Sequence, residues 1–220
     1  MCPTGPAPAE SSQTESAVLR NGLGQVSSLL YPPDAFPRIS HLLSPAIYGI
    51  GAEILSAAID YQASQSLPDP SHMFPWLHGL HSDNHLQLNF FSSRKRTQRK
   101  PPKAWRSITI VKLGGDLTKA RIKGAVSPSE VISPSSHFLM ADPPEGFSVR
   151  NFQIQTAKLA TLSDIVIYGE DGHSQSEMLA LAEDFAMAQH EWRLKNDPAY
   201  ERPAYNTFVL TSKFQMIKLA

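Results

Sequence analysis

The residues best placed to do chemistry are Gly169-Glu170-Asp171-Gly172-His173-Ser174, a glycine-bounded stretch between an apolar burst and a long amphipathic run. A strand–loop–helix junction of this kind is where many α/β folds seat an anion or a nucleophile, because free N–H groups at the helix start face the ligand. The side chains do not suit that task. A cysteine-based phosphatase or sulfurtransferase needs a thiolate in the loop, and a phosphatase also needs an arginine to clamp the phosphate. Neither residue type occurs between Tyr168 and Ser176, and Glu170 and Asp171 would repel an anion. Ser174 beside His173 does not make a triad by adjacency; Ser174 or Ser176 reads as a helix cap. We therefore expect a vestigial loop and no catalytic residues.

Two further groups carry charge or ligand chemistry. His78, His81 and His85 fall near i, i+3 and i+7, with Asp83 close by. Pro75 and Gly79 oppose a continuous helix there, and no Cys or Glu cluster completes a set of four ligands. Histidines tied into a packed turn, with no metal and no cofactor, are the expectation. Arg94-Lys95-Arg96, Arg99-Lys100, Lys103 and Arg106 form the one dense basic run, broken by Pro101-Pro102. It reads either as a solvated loop or as a docking patch for an acidic partner, with Arg94, Lys95, Arg96, Arg99 and Lys100 as the docking residues. Ile108-Thr109-Ile110 follows, as apolar residues follow basic ones in docking peptides for MAP kinases, although Ser107 to Lys112 also reads as a buried strand. Nothing outside the run supports nucleic-acid binding.

The elements around these residues indicate an α/β chain. Asp164-Ile165-Val166-Ile167-Tyr168 has the β-branched content of a buried parallel strand. From Ser176 to Trp192, Met178, Leu179, Leu181, Ala182, Phe185, Ala186 and Ala188 recur at helical spacing, with acids early and His190 and Arg193 late. Thr207-Phe208-Val209-Leu210 is a second strand, so 164–168, 175–192 and 207–210 make a βαβ unit with parallel strands and a right-handed crossover. Between Ile47 and Ala63 the spacing predicts one apolar helical face from Ile54, Leu55, Ala58, Ile59 and Tyr61. A short helix is expected through Leu86 to Phe91, and Phe147 to Leu162 reads as strand or helix equally well. Gly114-Gly115-Asp116 is a turn. Ser127-Pro128-Ser129-Glu130 is a capping box; this Ser-Pro, like Ser133-Pro134 and Ser44-Pro45, also has the form of a proline-directed kinase site.

Composition bounds the rest. The 220 residues suit one α/β domain plus an extension, and 20 basic against 20 acidic residues leave no net field toward nucleic acid or membrane. Residues 1–45 are Pro/Ser-rich and expected to be flexible, although Val18-Leu19 and Leu29-Leu30-Tyr31 could dock on the body; residues 46–220 form the domain. One cysteine, Cys2, rules out an internal disulfide. No apolar run approaches a membrane span and no signal-peptide pattern opens the chain, so the cytoplasm, the nucleus or both are the expected location.

Phe74-Pro75-Trp76-Leu77-His78-Gly79-Leu80-His81, Ile108 through Leu117, Arg121 through Val126, Asp164 through Gly169, and Tyr205 through Leu210 together resemble the region upstream of the catalytic domain in large fungal dual-specificity protein phosphatases. These are the enzymes associated with cell-cycle checkpoint control, and the match covers most of residues 50–214. A looser similarity is to rhodanese-like domains. Ile122-Lys123-Gly124-Ala125-Val126 resembles their H-I-x-G-A strand entry, with Arg121 where histidine is usual. Phe208-Val209-Leu210 through Phe214 resembles their closing V-L-x-G-G-F, with Ser212 and Lys213 replacing the glycines. Inactive rhodanese-like domains precede the catalytic domain of MAP kinase phosphatases, where a basic cluster docks the kinase. The resemblance implies a three-layer rhodanese-like domain with a mainly parallel sheet. It also implies a non-catalytic regulatory or substrate-docking role, the partner being a kinase or the enzyme's own catalytic domain. A dimerisation or scaffold module, and a hydrolase using a non-cysteine site, are the rival readings.

Overall fold

The computed structural model describes residues 28–40, 45–66, 76, 106–118, 120–139, 152–200, 202 and 204–211. Four strands build the core: β1 (Ile47–Ile50), β2 (Ser107–Lys112), β3 (Ser163–Tyr168) and β4 (Thr207–Leu210). They form one sheet in the order β1-β4-β3-β2, every neighbouring pair parallel. The register sets Lys112 beside Tyr168 and Ile165 beside Thr207. A parallel bridge from Val111 to Val126 adds the rudiment of a further strand outside β2.

Among the described residues, three α-helices, α1 (Ala52–Ser64), α2 (Phe152–Ala160) and α3 (Gln175–Asn196), cover the two faces. Alternation along the strands decides which side chain goes where. Ile165 and Ile167, with Val111, Val209 and Ile47, meet Ala182, Phe185, Ala186 and Ala188 of α3 and Ala160 of α2. Val166 and Tyr168, with Ile110, Phe208, Leu210 and Ile50, meet Leu55 and Ala58 of α1. Both faces of β3 and β4 are buried, as a sheet sandwiched between helix layers requires. The molecule is thus an α/β three-layer domain, compatible with the rhodanese-like arrangement.

The body reaches further toward the amino terminus than the sequence boundary at residue 46. Leu30 is wholly buried in the α1-side core, and Phe36 packs edge-on against Phe208 at 5.2 Å between ring centroids. Residues 37–39 then run along the free edge of β1: Gly49 N donates to Pro37 O at 2.8 Å and Ile39 N donates to Ile47 O at 2.9 Å. An edge strand left bare would offer its N–H and C=O groups to other chains, and this strap occupies them. Gly49 is needed for the close approach, because a Cβ there would lie 3.0 Å from Thr211 Cγ2 and 3.3 Å from Ile39 Cγ2. The Leu29-Leu30-Tyr31 patch docks through the buried Leu30 and through the half-exposed Tyr31 ring, which lies 4.5 Å from the Arg106 guanidinium, while Leu29 stays half exposed.

One local expectation needs correction. Ile54 is 48 % exposed, so the buried face of α1 is Leu55 and Ala58 without it. The capping box expected at Ser127-Pro128-Ser129-Glu130 is present; it opens only a single 3-10 turn, Pro128–Glu130, because Ile132 is drawn back into an antiparallel bridge with Phe138. Within the ambiguous stretch 147–162, residues 152–160 are helix, and 147–151 lie outside the described residues. No helix among the described residues is long and apolar enough to cross a membrane.

Candidate functional site

The loop 169–174 leaves the carboxyl end of β3 and enters α3, the position at which open α/β sheets bind ligands. It closes on itself. His173 N donates to Glu170 O at 3.1 Å, and Glu170 N donates back to His173 Nδ1 at 3.2 Å. As an acceptor, Nδ1 carries no proton, so the ring has no free base on that side. Its other edge lies against the turn after β2: a Cβ on Gly114, whose φ is +84°, would sit 3.1 Å from His173 Nε2. Only glycine meets both demands there.

The two acids of the loop are each answered from a distant part of the chain. Lys112, the last residue of β2, places Nζ 3.2 Å from Glu170 Oε1 and also donates to the Asp116 carbonyl. Arg121 Nη2 lies 2.6 Å from Asp171 Oδ2 at the surface, and this bond holds the guanidinium's pKa above its ordinary value. The start of α3 is occupied as well. Ser174 Oγ accepts from Glu177 N at 3.2 Å, while the Glu177 carboxylate accepts from Ser174 N at 2.7 Å and from Ser174 Oγ at 2.8 Å. These bonds from Ser174 hold the Glu177 carboxyl below the usual carboxylate range. An oxyanion entering here would have to displace a carboxylate from the helix N-terminus and pull two cations off their acids. Ser174 Oγ is bonded to Glu177 and Ser176, and the His173 ring to the Glu170 N–H, so no Ser–His nucleophile is assembled.

All six loop residues lie where the sequence places them. Lys112 and Arg121 were not assigned to the loop by sequence reasoning. The signals existed: β2 pairs with β3 so that Lys112 lies beside Tyr168, and Arg121 stands where the rhodanese-like pattern has histidine. Arg94, Lys95, Arg96, Arg99 and Lys100, and likewise His78, His81 and His85, lie outside the described residues. So does Cys2. No group of three metal-ligating side chains forms among the described residues.

Arg106, counted with the basic run, belongs to a different structure. It is buried, and its guanidinium forks onto Asp164 with Nε–Oδ2 at 2.7 Å and Nη2–Oδ1 at 2.5 Å. Nη2 also donates to Ala204 O at 2.9 Å, Asn206 N donates to Asp164 Oδ1 at 2.9 Å, and the guanidinium stacks over Tyr31 and Tyr205 at 4.5 and 5.2 Å. Burial pushes the Asp164 carboxyl up, against the pull of Arg106 and the Asn206 N–H, and raises the Tyr205 phenol to about 12. This knot ties the leading ends of β2, β3 and β4 together at the amino-terminal end of the sheet, opposite the loop. Its work is structural, and Arg106 is not a docking residue.

Two clefts lie away from the loop. One, of about 180 Å³, is lined by His190, Arg193, Arg202, Tyr205 and Asn206 at the knotted end. The other, between residues 137–139 and the last turns of α3, is lined by Phe138, Leu139, Trp192, Trp76 and Lys158. Comparison with known proteins returned no matching family model, no matching curated protein and no matching solved structure.

Proposed function

We propose that this chain is the non-catalytic regulatory or substrate-docking domain of a dual-specificity protein phosphatase. The observation that carries the reading is the occupied loop. At the carboxyl end of β3, where a thiolate and a bound phosphate would lie in a cysteine-dependent relative, the space is claimed by Glu170, Asp171 and Glu177. Their partners are Lys112, Arg121 and Ser174. The resemblance of residues 50–214 to the region preceding such catalytic domains supplies the parent enzyme. The basic sequence run of Arg94, Lys95, Arg96, Arg99 and Lys100 has the charge to suit an acidic groove on a kinase or on the catalytic domain itself.

The test has two arms. Purified chain should hydrolyse neither p-nitrophenyl phosphate nor p-nitrophenyl acetate above a blank; reproducible turnover lost on His173→Ala would replace this reading with that of a hydrolase. Reversing the charge at Arg94, Lys95 and Arg96 together should abolish capture of the kinase partner. Unchanged capture would remove the basic run from the docking role.

A further inference from the structure

The three Ser-Pro pairs of the sequence are not equivalent once folded. Ser127 is buried, and both its N–H and its hydroxyl are spent on Glu130, at 2.7 and 2.9 Å. Ser44 lies outside the described residues. Ser133 differs. It opens a tight loop closed by Ser133 N donating to His137 O at 2.8 Å and Ser136 N donating to Ser133 O at 3.0 Å. Its hydroxyl stays at the surface, 2.9 Å from Ser135 Oγ and 3.4 Å from His137 N.

What this loop holds matters as much as its exposure. It is fastened to α3 by two polar links, and both end on carboxylates: Ser136 Oγ donates to Asp184 Oδ1 at 2.7 Å, and His137 Nδ1 pairs with Glu191. Ser136 is held at a φ of +57°, in the left-handed region that disfavours a side-chain-bearing residue, so the links work against strain. Beneath the links Ile132 and Phe138 pack into the α3-side core, and Phe138 and Leu139 form one wall of the cleft whose other wall carries Trp192.

We propose that Ser133 is a phosphorylation site for a proline-directed Ser/Thr kinase, and that its phosphate releases the 133–138 loop from α3. The γ-phosphoryl group of ATP passes to Ser133 Oγ, the hydroxyl proton goes to the kinase's base, and ADP leaves. The product carries a charge of about −1.5 to −2 and three acceptor oxygens. Asp184 and Glu191 repel it. The backbone N–H of His137, which already reaches the Ser133 hydroxyl, donates to the phosphate, and the His137 ring turns from Glu191 toward the new charge. With both links lost, the wall formed by Phe138 and Leu139 swings from the cleft and bares an apolar surface beside Trp192. This inference does not depend on the parent being a phosphatase.

The full chain is incubated with ATP and a proline-directed kinase, beside a synthetic peptide of residues 128–139, and sites are mapped by mass spectrometry. Phosphate should appear on Ser133 and not on Ser127 in the folded chain, and Ser133→Ala should abolish it. Amide hydrogen exchange over 131–139 should then rise about tenfold, the loss expected of one surface ion pair and one hydrogen bond. In the Asp184→Asn/Glu191→Gln variant the loop should already exchange fast and phosphate should add little. A peptide phosphorylated at Ser133 while the folded chain is not would overturn the site, and phosphate on Ser133 with exchange unchanged would overturn the release.

Discussion

Arg106→Met should be among the most damaging single substitutions in this domain, and its cost should depend on pH in a defined direction. The change keeps much of the side chain's apolar length but removes a fork of two hydrogen bonds to Asp164, a third to Ala204 O, and two stacked contacts on Tyr31 and Tyr205. Breaking a buried pair by taking one partner costs about 3–5 kcal/mol, because the other charge stays in the interior. A domain of ordinary stability holds only about 5–15 kcal/mol, so a large share would go. Asp164, wholly buried, then has no cation to offset desolvation, and its folded pKa climbs further above the unfolded value of about 3.9. A carboxyl raised in this way contributes its full stability below the unfolded pKa and loses it as pH rises, by about 1.4 kcal/mol per unit, until the folded pKa is passed. The gap between wild type and variant, measured by urea denaturation, should therefore be smaller at pH 5 than at pH 8. Adding Asp164→Asn should recover stability at pH 8. Equal cost at the two pH values, or no gain from the second substitution, would refute the reading of this pair as a buried charge couple.

Leu30→Ala should cost about 2–5 kcal/mol by urea denaturation, as for any fully buried leucine, and should raise hydrogen exchange across residues 36–40 and β1. An effect near zero would mean that the strap is not part of the folding unit. Ser174→Ala should cost about 0.5–2 kcal/mol through loss of the α3 cap, without altering the sheet. Glu177 has a depressed pKa, so its contribution is present above about pH 4.3 and is lost as pH falls through the folded value; Glu177→Gln should flatten that part of the acid-denaturation curve.

The sequence reveals the parts of this fold whose signals are local. Ser107–Lys112 and Thr207–Leu210 are strands as read, because short β-branched runs bounded by polar turns have few other uses. The start of α3 is legible in Ser174 and Glu177, three residues apart. Its end is not: the helix continues past Trp192 to Asn196, held by Asn196 Nδ2 on Trp192 O and by Arg193 beside Asp197 rather than by apolar spacing. Ile47–Ile50 merged with α1 in the sequence because the strand is four residues long and only its pairing with β4, some 160 positions later, sets it apart. Sequence separation likewise hides Lys112 and Arg121 from the loop they neutralise. Glu170 and Asp171 read as repulsive while their cations lie elsewhere in the chain; folded, the four form two closed pairs.

Titration of the isotopically labelled chain with inorganic phosphate, followed through the backbone amide resonances of residues 169–174, addresses the occupied loop most directly. Those amides should show no saturable shift at moderate ionic strength, because Glu177 already holds the helix start and Lys112 and Arg121 are held by Glu170 and Asp171. Saturable binding confined to them, with Lys112 or Arg121 turned from its carboxylate onto the ion, would show a working oxyanion cradle and contradict the non-catalytic reading.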